Sequence, residues 1–403
     1  WNVHEESFFP KLKPLSSLTF RVSYSLTGTP PDASYCNALT KLSMNTPYRP
    51  TTTDKELGFV VAALGNDELT YEKKHEFNFG VDAGFFNNRL NVTFDVYQRR
   101  NFDEIAPTVT QLYGTAYANV GSMKSWGEEL SISSTNVKTN DFSWQTSLIY
   151  SHNRTEITDL YNQGRVIDLV QGNGFAKQGY PARALFSIPF VGINEKGNPV
   201  CINEKGQATV GDLNFQERNN TDYLIYEGST DPIYNGSLGN TFNYKGFHLN
   251  LFLTYAFGNV VRLDPVFSAK YNDLTSMTHD FKNRWMQPGD ENVTNVPGVV
   301  SRYEYEQNRT LLSTAYNAYN YTSVRTAKGD FIRLKEISLA YDFPHRWLEN
   351  SPVNNISLKL QATNLMLLYA DKKLNGQDPE FMNAGGVASP MPKQFTLTLK
   401  LGL

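Results

Sequence analysis

The last residues of the chain alternate between apolar and polar or small side chains. Phe395, Leu397, Leu399 and Leu401 occupy every second position, and the chain finishes on Leu403. A period of two puts alternate side chains on opposite faces of an extended backbone. The pattern therefore predicts a β-strand with one apolar face and one polar face.

The same alternation recurs along the chain and predicts ten antiparallel strands. They are expected at residues 18–27, 70–86, 89–103, 125–137, 142–156, 237–244, 247–257, 330–342, 355–365 and 394–403. Most are close to the ~9–11 residues that a tilted membrane-spanning strand requires. The alternation slips near Lys335 and Glu336, which predicts a β-bulge. Residues 1–8 resemble the end of a further strand.

The connections between these strands fall into two kinds. Short connections are expected at 87–88, 138–141, 245–246 and 344–354, and long ones at 28–69, 104–124, 157–236, 258–329 and 366–393. Short turns at one end and long loops at the other are typical of outer-membrane β-barrels. The predicted fold class is all-β, an antiparallel transmembrane β-barrel with long extracellular loops, in which the last strand ends in the periplasm.

Composition excludes several other classes of protein. The 403-residue chain has a net charge of −3, which gives no general attraction to nucleic acid. No run approaches the ~20 apolar residues of a membrane helix. The open edges of ten or eleven strands cannot lie in lipid unpaired, so other strands of the same protein or of another chain are expected to complete the barrel.

Catalytic and metal-binding patterns are absent from the sequence. The histidines show no H-x-x-x-H spacing, and no carboxylate pair is placed to act across a substrate. We therefore expect no enzyme activity, no metal and no cofactor. The two cysteines, Cys36 and Cys201, are too few for a disulfide framework, and the sequence leaves open whether they are bridged or free.

The long loops contain the candidate binding residues. Segment 258–329 is rich in Tyr and Asn, which combine flat apolar area with hydrogen bonding. The alternative is that these aromatic side chains pack the loop on itself. Segment 157–236 holds a short repeat, 193–198 and 202–207 (INEKGN and INEKGQ), which predicts two β-turns.

Several segments resemble the SusC/RagA-type TonB-dependent transporters of Bacteroidota. They are residues 18–28 (LTFRVSYSLTG), 71–103, 119–130 (NVGSMKSWGEEL), 329–344 (GDFIRLKEISLAYDFP), 364–365 with 376–380 (NL and GQDPE), and 392–395 (PKQF). The chain departs from the family pattern at Gln394, where Arg is usual, and at Leu403, where an aromatic residue is usual. The matches occur in order along nearly the whole chain.

The resemblance implies that residues 1–403 are the C-terminal part of a ~22-stranded barrel, without the plug and the N-terminal strands. It implies TonB-dependent import of nutrient oligomers, either oligosaccharides or oligopeptides, across the outer membrane. Implied partners are a SusD-like surface lipoprotein that acts as a lid, the N-terminal plug and barrel half of the same protein, TonB acting through that half, and membrane lipid.

The residues expected in the substrate vestibule or the lid-docking surface are Trp285, Tyr303, Tyr305, Asn308, Tyr316, Asn317, Tyr319, Tyr321, Asp378 and Glu380. For Asp378 the alternative is a structural turn residue before Pro379. Two other functions remain open, a passive porin or adhesin barrel and, with less support, an extracellular carbohydrate-binding or hydrolytic all-β protein.

Overall fold

The computed structural model describes residues 1–9, 12–33, 36, 39–46, 49, 53–110, 114–161, 163–266, 274, 277–349, 352–382 and 392–402. Leu403, the expected last residue of the final strand, lies outside this part of the chain.

Nineteen strands and three α-helices occur in the described residues. The strands are β1 (Leu15–Thr29), β2 (Lys41–Asn45), β3 (Gly58–Ala63), β4 (Glu72–Phe85), β5 (Leu90–Thr110), β6 (Gly114–Lys138), β7 (Phe142–Leu160), β8 (Ala184–Ser187), β9 (Phe190–Ile193), β10 (Pro199–Ile202), β11 (Ala208–Thr209), β12 (Ile225–Ser229), β13 (Tyr234–Tyr244), β14 (Phe247–Phe257), β15 (Val260–Arg262), β16 (Thr326–Lys328), β17 (Phe331–Asp342), β18 (Asn355–Ala370) and β19 (Gln394–Gly402). The helices are α1 (Val166–Val170), α2 (Arg302–Gln307) and α3 (Arg309–Asn320).

One large antiparallel sheet dominates the structure. It contains ten strands in the order β1-β4-β5-β6-β7-β13-β14-β17-β18-β19, so every neighbour in the sheet is also the next long strand along the chain. This up-and-down order confirms the ten predicted strands. Within the described residues the sheet does not close on itself, because β1 and β19 lie at its two ends.

The register of the sheet separates an apolar face from a polar face. One row of paired residues consists of Leu397, Leu360, Leu339, Leu249, Phe242 and Trp144. The adjacent row consists of Thr398, Lys359, Ala340, His248, Asn243 and Ser143. The apolar face is uncovered: Phe395 and Leu397 are 70% and 69% exposed. Protein therefore does not cover the apolar side chains of the final strand.

Local features of the sheet agree with the expected turns and bulge. Asn87, Asn88 and Lys245 have positive φ angles in the β4–β5 and β13–β14 connections, where Asn is tolerated and an adjacent Gly is favoured. Lys335 is the bulged residue, because Phe252 pairs with Glu336 while Leu253 pairs with Leu334. Because of the extra residue, the side chains of Leu334 and Ile337 lie on the same apolar face of the sheet.

Two sequence-based expectations about the sheet are wrong. The connection predicted over 104–124 is mostly strand, because β5 and β6 extend until Thr110 pairs with Gly114. A break in register between Asn101 and Glu104, with Asp103 at a positive φ angle, conceals the alternation at this point. The strand expected over 1–8 is also absent: Val3–Glu5 forms a 3-10 turn, and only Asn2 pairs with β1, at Thr19.

The hydrophobic core lies outside the sheet, in the long connections. We call the described residues of 161–233, 258–330 and 371–382 the loop layer. All three clusters of buried apolar side chains belong to it, centred on Phe186, Tyr316 and Leu374. The loop layer is therefore a folded unit with an interior of its own.

The loop layer contains regular secondary structure that the sequence analysis did not predict, including α1 and β8–β12 within the connection expected over 157–236. Residues 303–321, expected as a loop, form most of helices α2 and α3. The INEKG repeat does form two turns, closed by Asn194 with Asn198 and by Asn203 with Gln207. Among the described residues, no helix has both the length and the apolarity needed to cross a membrane.

Candidate ligand-binding cavity in the loop layer

The most promising cavity in the loop layer has a volume of about 290 Å³. Four separate segments line it: Gln171, Gly172 and Asn173; Arg262, Leu263, Asp264 and Pro265; Asn317, Asn320 and Tyr321; and Met382. We call it the amide cavity, because carboxamide side chains dominate its polar lining. Its volume is at the lower end of the range for ligand sites.

The buried guanidinium of Arg262 holds one wall of the amide cavity in place. It donates to the carbonyl oxygens of Phe186 at 2.6 Å, Thr322 at 2.8 Å and Val170 at 3.2 Å, and to Ser187 Oγ at 3.1 Å. Burial lowers the pKa of Arg262 to about 10, because the charged form loses hydration. Arg262 therefore joins three segments through neutral acceptors rather than through an ion pair.

Several polar groups of the amide cavity have no protein partner in the described structure. The side chains of Gln171, Asn173 and Asn317 are exposed and make no hydrogen bond to another described residue. Asn320 Oδ1 accepts a hydrogen bond from the backbone N–H of Val266 at 3.2 Å. A carboxamide both donates and accepts, so this wall offers both kinds of group to a ligand.

Two other cavities already have partners for some of their charged groups. In a second cavity of about 290 Å³, Lys177 donates to Thr221 and Asp222, and Gln178 donates to the Thr158 carbonyl. A third, of about 320 Å³, lies against the sheet. Its carboxylate Asp95 accepts from Arg21 at 3.0 Å. The amide cavity has three exposed carboxamides without a partner in the described structure, so we choose it as the candidate ligand site.

Three of the expected site residues are exposed on the helical segment of the loop layer. Tyr303 is 78% exposed on α2, Asn308 lies at the junction of α2 and α3, and Asn317 is exposed on α3. Of these only Asn317 lines the amide cavity, where Tyr321 also lies. Tyr305 is half-buried against the hydrophobic cluster around Tyr316.

Tyr316 and Tyr319 occupy the interior of the loop layer. They are 1% and 2% exposed, and the hydroxyl of Tyr316 donates to the Gly298 carbonyl. Burial raises the pKa of both phenols, that of Tyr319 to about 12. For these two residues the structure shows the alternative weighed from the sequence, aromatic side chains that pack the loop on itself.

Trp285 connects two parts of the loop layer. Its ring lies where a Cβ atom at Gly197 or Gly298 would be, and its indole N–H donates to Glu291 at 2.9 Å. Gly197 has a φ of +78° in the first INEKG turn, so this position requires glycine for both backbone angle and space. The half-buried Trp285 therefore holds that turn against segment 285–298.

Asp378 belongs to a buried ion pair that joins two of the recognised sequence motifs. Its carboxylate binds Arg333 at 2.5 Å, and the side chains of Arg333 and Asp378 are 5% and 4% exposed. Exposed Glu380 lies 3.2 Å from the same guanidinium. Asp378 also accepts from the Glu380 backbone N–H, so Asp378 fixes the segment that supplies Met382 to the amide cavity.

The sequence analysis did not identify Gln171, Asn173, Arg262 or Asp264 as site residues. No local motif marks them, since they meet only when α1, β15 and α3 pack together. Within the described part of the chain, no group of three or more His, Cys, Asp or Glu side chains is placed to hold a metal ion.

The fold and the loop layer together define the class of protein. A consecutive antiparallel sheet with one uncovered apolar face, short connections at one end and folded segments at the other, is the wall of a transmembrane β-barrel. The solved structure of the RagAB peptide transporter has this fold. The superposition covers 100% of this chain and 42% of the transporter chain, with a TM-score of 0.76 and 24% sequence identity.

The sequence comparisons agree with this assignment. TonB-dependent receptor P3 of Formosa agariphila is 25% identical over 404 residues, which cover 94% of this chain and 37% of the relative. TonB-dependent receptor SusC of Bacteroides thetaiotaomicron is 25% identical over 430 residues, which cover 100% of this chain and 39% of SusC. No family model matches the chain.

The predicted resemblance to SusC/RagA-type TonB-dependent transporters is thus confirmed. The chain spans about two fifths of the length of the curated relatives it matches. These relatives are named as receptors, and the solved structure as a transporter, so none of them carries the name of an enzyme.

Proposed function

We propose that this chain forms part of the wall and outer vestibule of a TonB-dependent importer in the bacterial outer membrane. The cargo class is nutrient oligomers, oligopeptides or glycans. The observation that carries the proposal is similarity to TonB-dependent receptors over nearly the full chain, together with a sheet whose apolar face is uncovered.

The orientation follows from the two kinds of connection. We place the short turns in the periplasm and the loop layer outside the cell, as in other outer-membrane barrels. The C-terminus is then periplasmic. The loop layer forms the mouth of the barrel, and Tyr303, Asn308, Asn317 and Glu380 are the exposed residues of the expected set from which a docking surface would be built.

The proposed partners follow from the open sheet and from the family resemblance. The free edges of β1 and β19 would expose unpaired backbone groups to lipid, which is costly, so further strands of the same protein should pair with them. TonB would act through a plug in that remaining part. A SusD-like lipoprotein would close the mouth over the cargo, which excludes water from the vestibule.

The test uses the intact protein in its native outer membrane. We expect it in the outer-membrane fraction, with slower migration after boiling in detergent and with a lipoprotein that copurifies. Uptake of a peptide pool or of oligosaccharides should stop when a protonophore collapses the proton gradient, because TonB transmits energy from the inner membrane. A soluble, monomeric protein without detergent would contradict the proposal.

The same uptake experiment separates the importer from a passive porin or adhesin. A porin conducts its solutes down a gradient, so a protonophore should leave its uptake unchanged. An adhesin should show no uptake in either condition.

A further inference from the structure

The amide cavity presents hydrogen-bonding groups that suit a peptide backbone. Every peptide unit offers one N–H donor and one C=O acceptor, and a carboxamide supplies the complement of both. Gln171, Asn173 and Asn317 are exposed carboxamides without a protein partner in the described structure. Three such groups around one small cavity can therefore donate to and accept from the peptide units of a bound segment.

Apolar side chains beside the carboxamides favour the same ligand class. Leu263 and Met382 line the cavity and are each 6% exposed, and Pro265 lies beside them. Leu263 and Met382 are almost fully buried and present little surface to a ligand, so exposed Pro265 supplies the accessible apolar side chain of this lining. An oligopeptide has both components, a polar backbone and an apolar side chain.

The aromatic content of the cavity argues against a sugar ring. Sugar sites usually present the open face of an aromatic side chain, on which the ring packs. Among the described residues that line this cavity, Tyr321 alone is aromatic, and its ring packs edge to face with Phe215 at a centroid distance of 6.2 Å. The strongly exposed Tyr303 does not line the cavity.

The wall behind the amide cavity is rigid, which lowers the cost of ordering a ligand site. Arg262 fixes the backbone at Val170, Phe186 and Thr322 through its buried hydrogen bonds. Gln377 donates to the Asp264 carboxylate at 2.9 Å and so joins segment 371–382 to the opposite wall.

We propose that the amide cavity is a subsite for an oligopeptide, in which Gln171 and Asn317 bind the peptide backbone and Pro265 contacts one apolar side chain. This assignment rests on the proposed import function and specifies its cargo.

The test compares the wild-type transporter, purified in detergent with any partner that accompanies it, with the double variant Gln171→Ala/Asn317→Ala. The matched control is Gln307→Ala, an exposed glutamine on α2 with no hydrogen bond to another described residue. Each protein is mixed with a tryptic digest of casein and, separately, with maltoheptaose. Ligand retained through gel filtration is then measured by mass spectrometry.

We expect wild type and Gln307→Ala to retain casein peptides and the double variant to retain about tenfold less, since two hydrogen bonds are lost. Both substituted side chains are exposed, so all three proteins should still fold as barrels. Folding is checked by heat-modifiable migration, which means that the protein migrates more slowly in a detergent gel after boiling. Equal peptide retention by the double variant would overturn the subsite. Retention of maltoheptaose instead of peptides, or of neither probe, would overturn the peptide assignment.

Failure of the subsite and failure of the proposed function have different signatures. Protonophore-sensitive uptake in cells tests the importer without reference to this cavity. If that uptake is present while Gln171→Ala/Asn317→Ala retains peptides normally, only the subsite is wrong. If uptake is insensitive to the protonophore, the importer itself is wrong.

Discussion

At the scale of single residues, the ion pair between Arg333 and Asp378 joins two motifs that are distant in the sequence, residues 329–344 and residues 376–380. The two charges lie 45 positions apart and are almost completely buried together. The sequence allowed Asp378 either a docking role or a structural one. The structure places it in the interior, where its carboxylate binds a guanidinium and caps the turn at Pro379.

Substitution of Asp378→Asn should destabilise segment 371–382. The substitution removes the buried carboxylate charge and leaves Arg333 with only the partly exposed Glu380 as a charged partner, so the cost should approach the ~3 kcal/mol of breaking a buried ion pair. Local opening should then increase roughly 100-fold, measured as the rate of limited proteolysis in this segment. The double variant Arg333→Met/Asp378→Leu, which removes both charges, should recover most of the protection. Wild-type proteolysis of Asp378→Asn would contradict this role.

The two cysteines should differ sharply in reactivity. Both are free thiols; Cys36 is exposed, whereas Cys201 is buried in β10. Burial raises the pKa of Cys201 to about 12, so at pH 8 almost none of it is the reactive thiolate. A maleimide reagent should modify Cys36 but not Cys201 in the native protein, and both after denaturation in detergent with boiling, as read from the labelled peptides by mass spectrometry. Cys36→Ser should remove the native labelling of that peptide and leave Cys201 protected.

At the scale of elements, the alternation of apolar and polar residues predicts the strands of the sheet but gives no sign of helix α3. Leu312, Ala315, Tyr316 and Tyr319 follow the i, i+3, i+4, i+7 spacing of a helix face and are all buried. The many Tyr and Asn residues of this segment favour a recognition loop by composition alone, and they obscure the helical spacing of its apolar side chains. The amide cavity could not be predicted at all, since four segments supply it and only tertiary packing brings them together.

The bulge at Lys335 should be essential to β17. Side chains alternate with a period of two, so deletion of Lys335 would exchange the faces of every residue between it and the loop layer. Arg333 would then move to the apolar face and lose Asp378. We expect the deletion to abolish the heat-modifiable form in outer membranes, whereas Lys335→Ala, which keeps the spacing, should assemble normally. Assembly of the deletion variant would refute this register argument.

Helix α3 should stabilise the loop layer independently of the sheet. Leu312 is 1% exposed inside the cluster around Tyr316, and its truncation to alanine leaves a cavity that costs about 2–5 kcal/mol. Leu312→Ala should therefore increase proteolysis within 258–330 while the barrel stays heat-modifiable. Leu311→Ala is the matched control, because Leu311 is 44% exposed. Equal sensitivity of the two variants would contradict the packing argument.

At the scale of the whole molecule, the uncovered apolar face makes lipid part of the structure. Leu397 and Thr398 are neighbours on β19 whose side chains point to opposite faces. An arginine on the lipid face costs about 2–4 kcal/mol near the middle of the bilayer, and much less on the inner face. Leu397→Arg should reduce the folded fraction in lipid vesicles, measured by heat-modifiable migration, and Thr398→Arg should not. Equal effects would show that lipid does not contact Leu397.

The location of the three hydrophobic clusters has a consequence for how such proteins diversify. The sheet is stabilised by pairing and by its surroundings, whereas the exterior segments carry their own cores. Mutations that reshape the entrance therefore need not disturb insertion of the wall. Evolution could therefore exchange the exterior segments while the strands of the wall stay the same, and so change the ligand that the protein binds. The points of exchange would lie at the strand ends, where the sheet is followed by the loop layer.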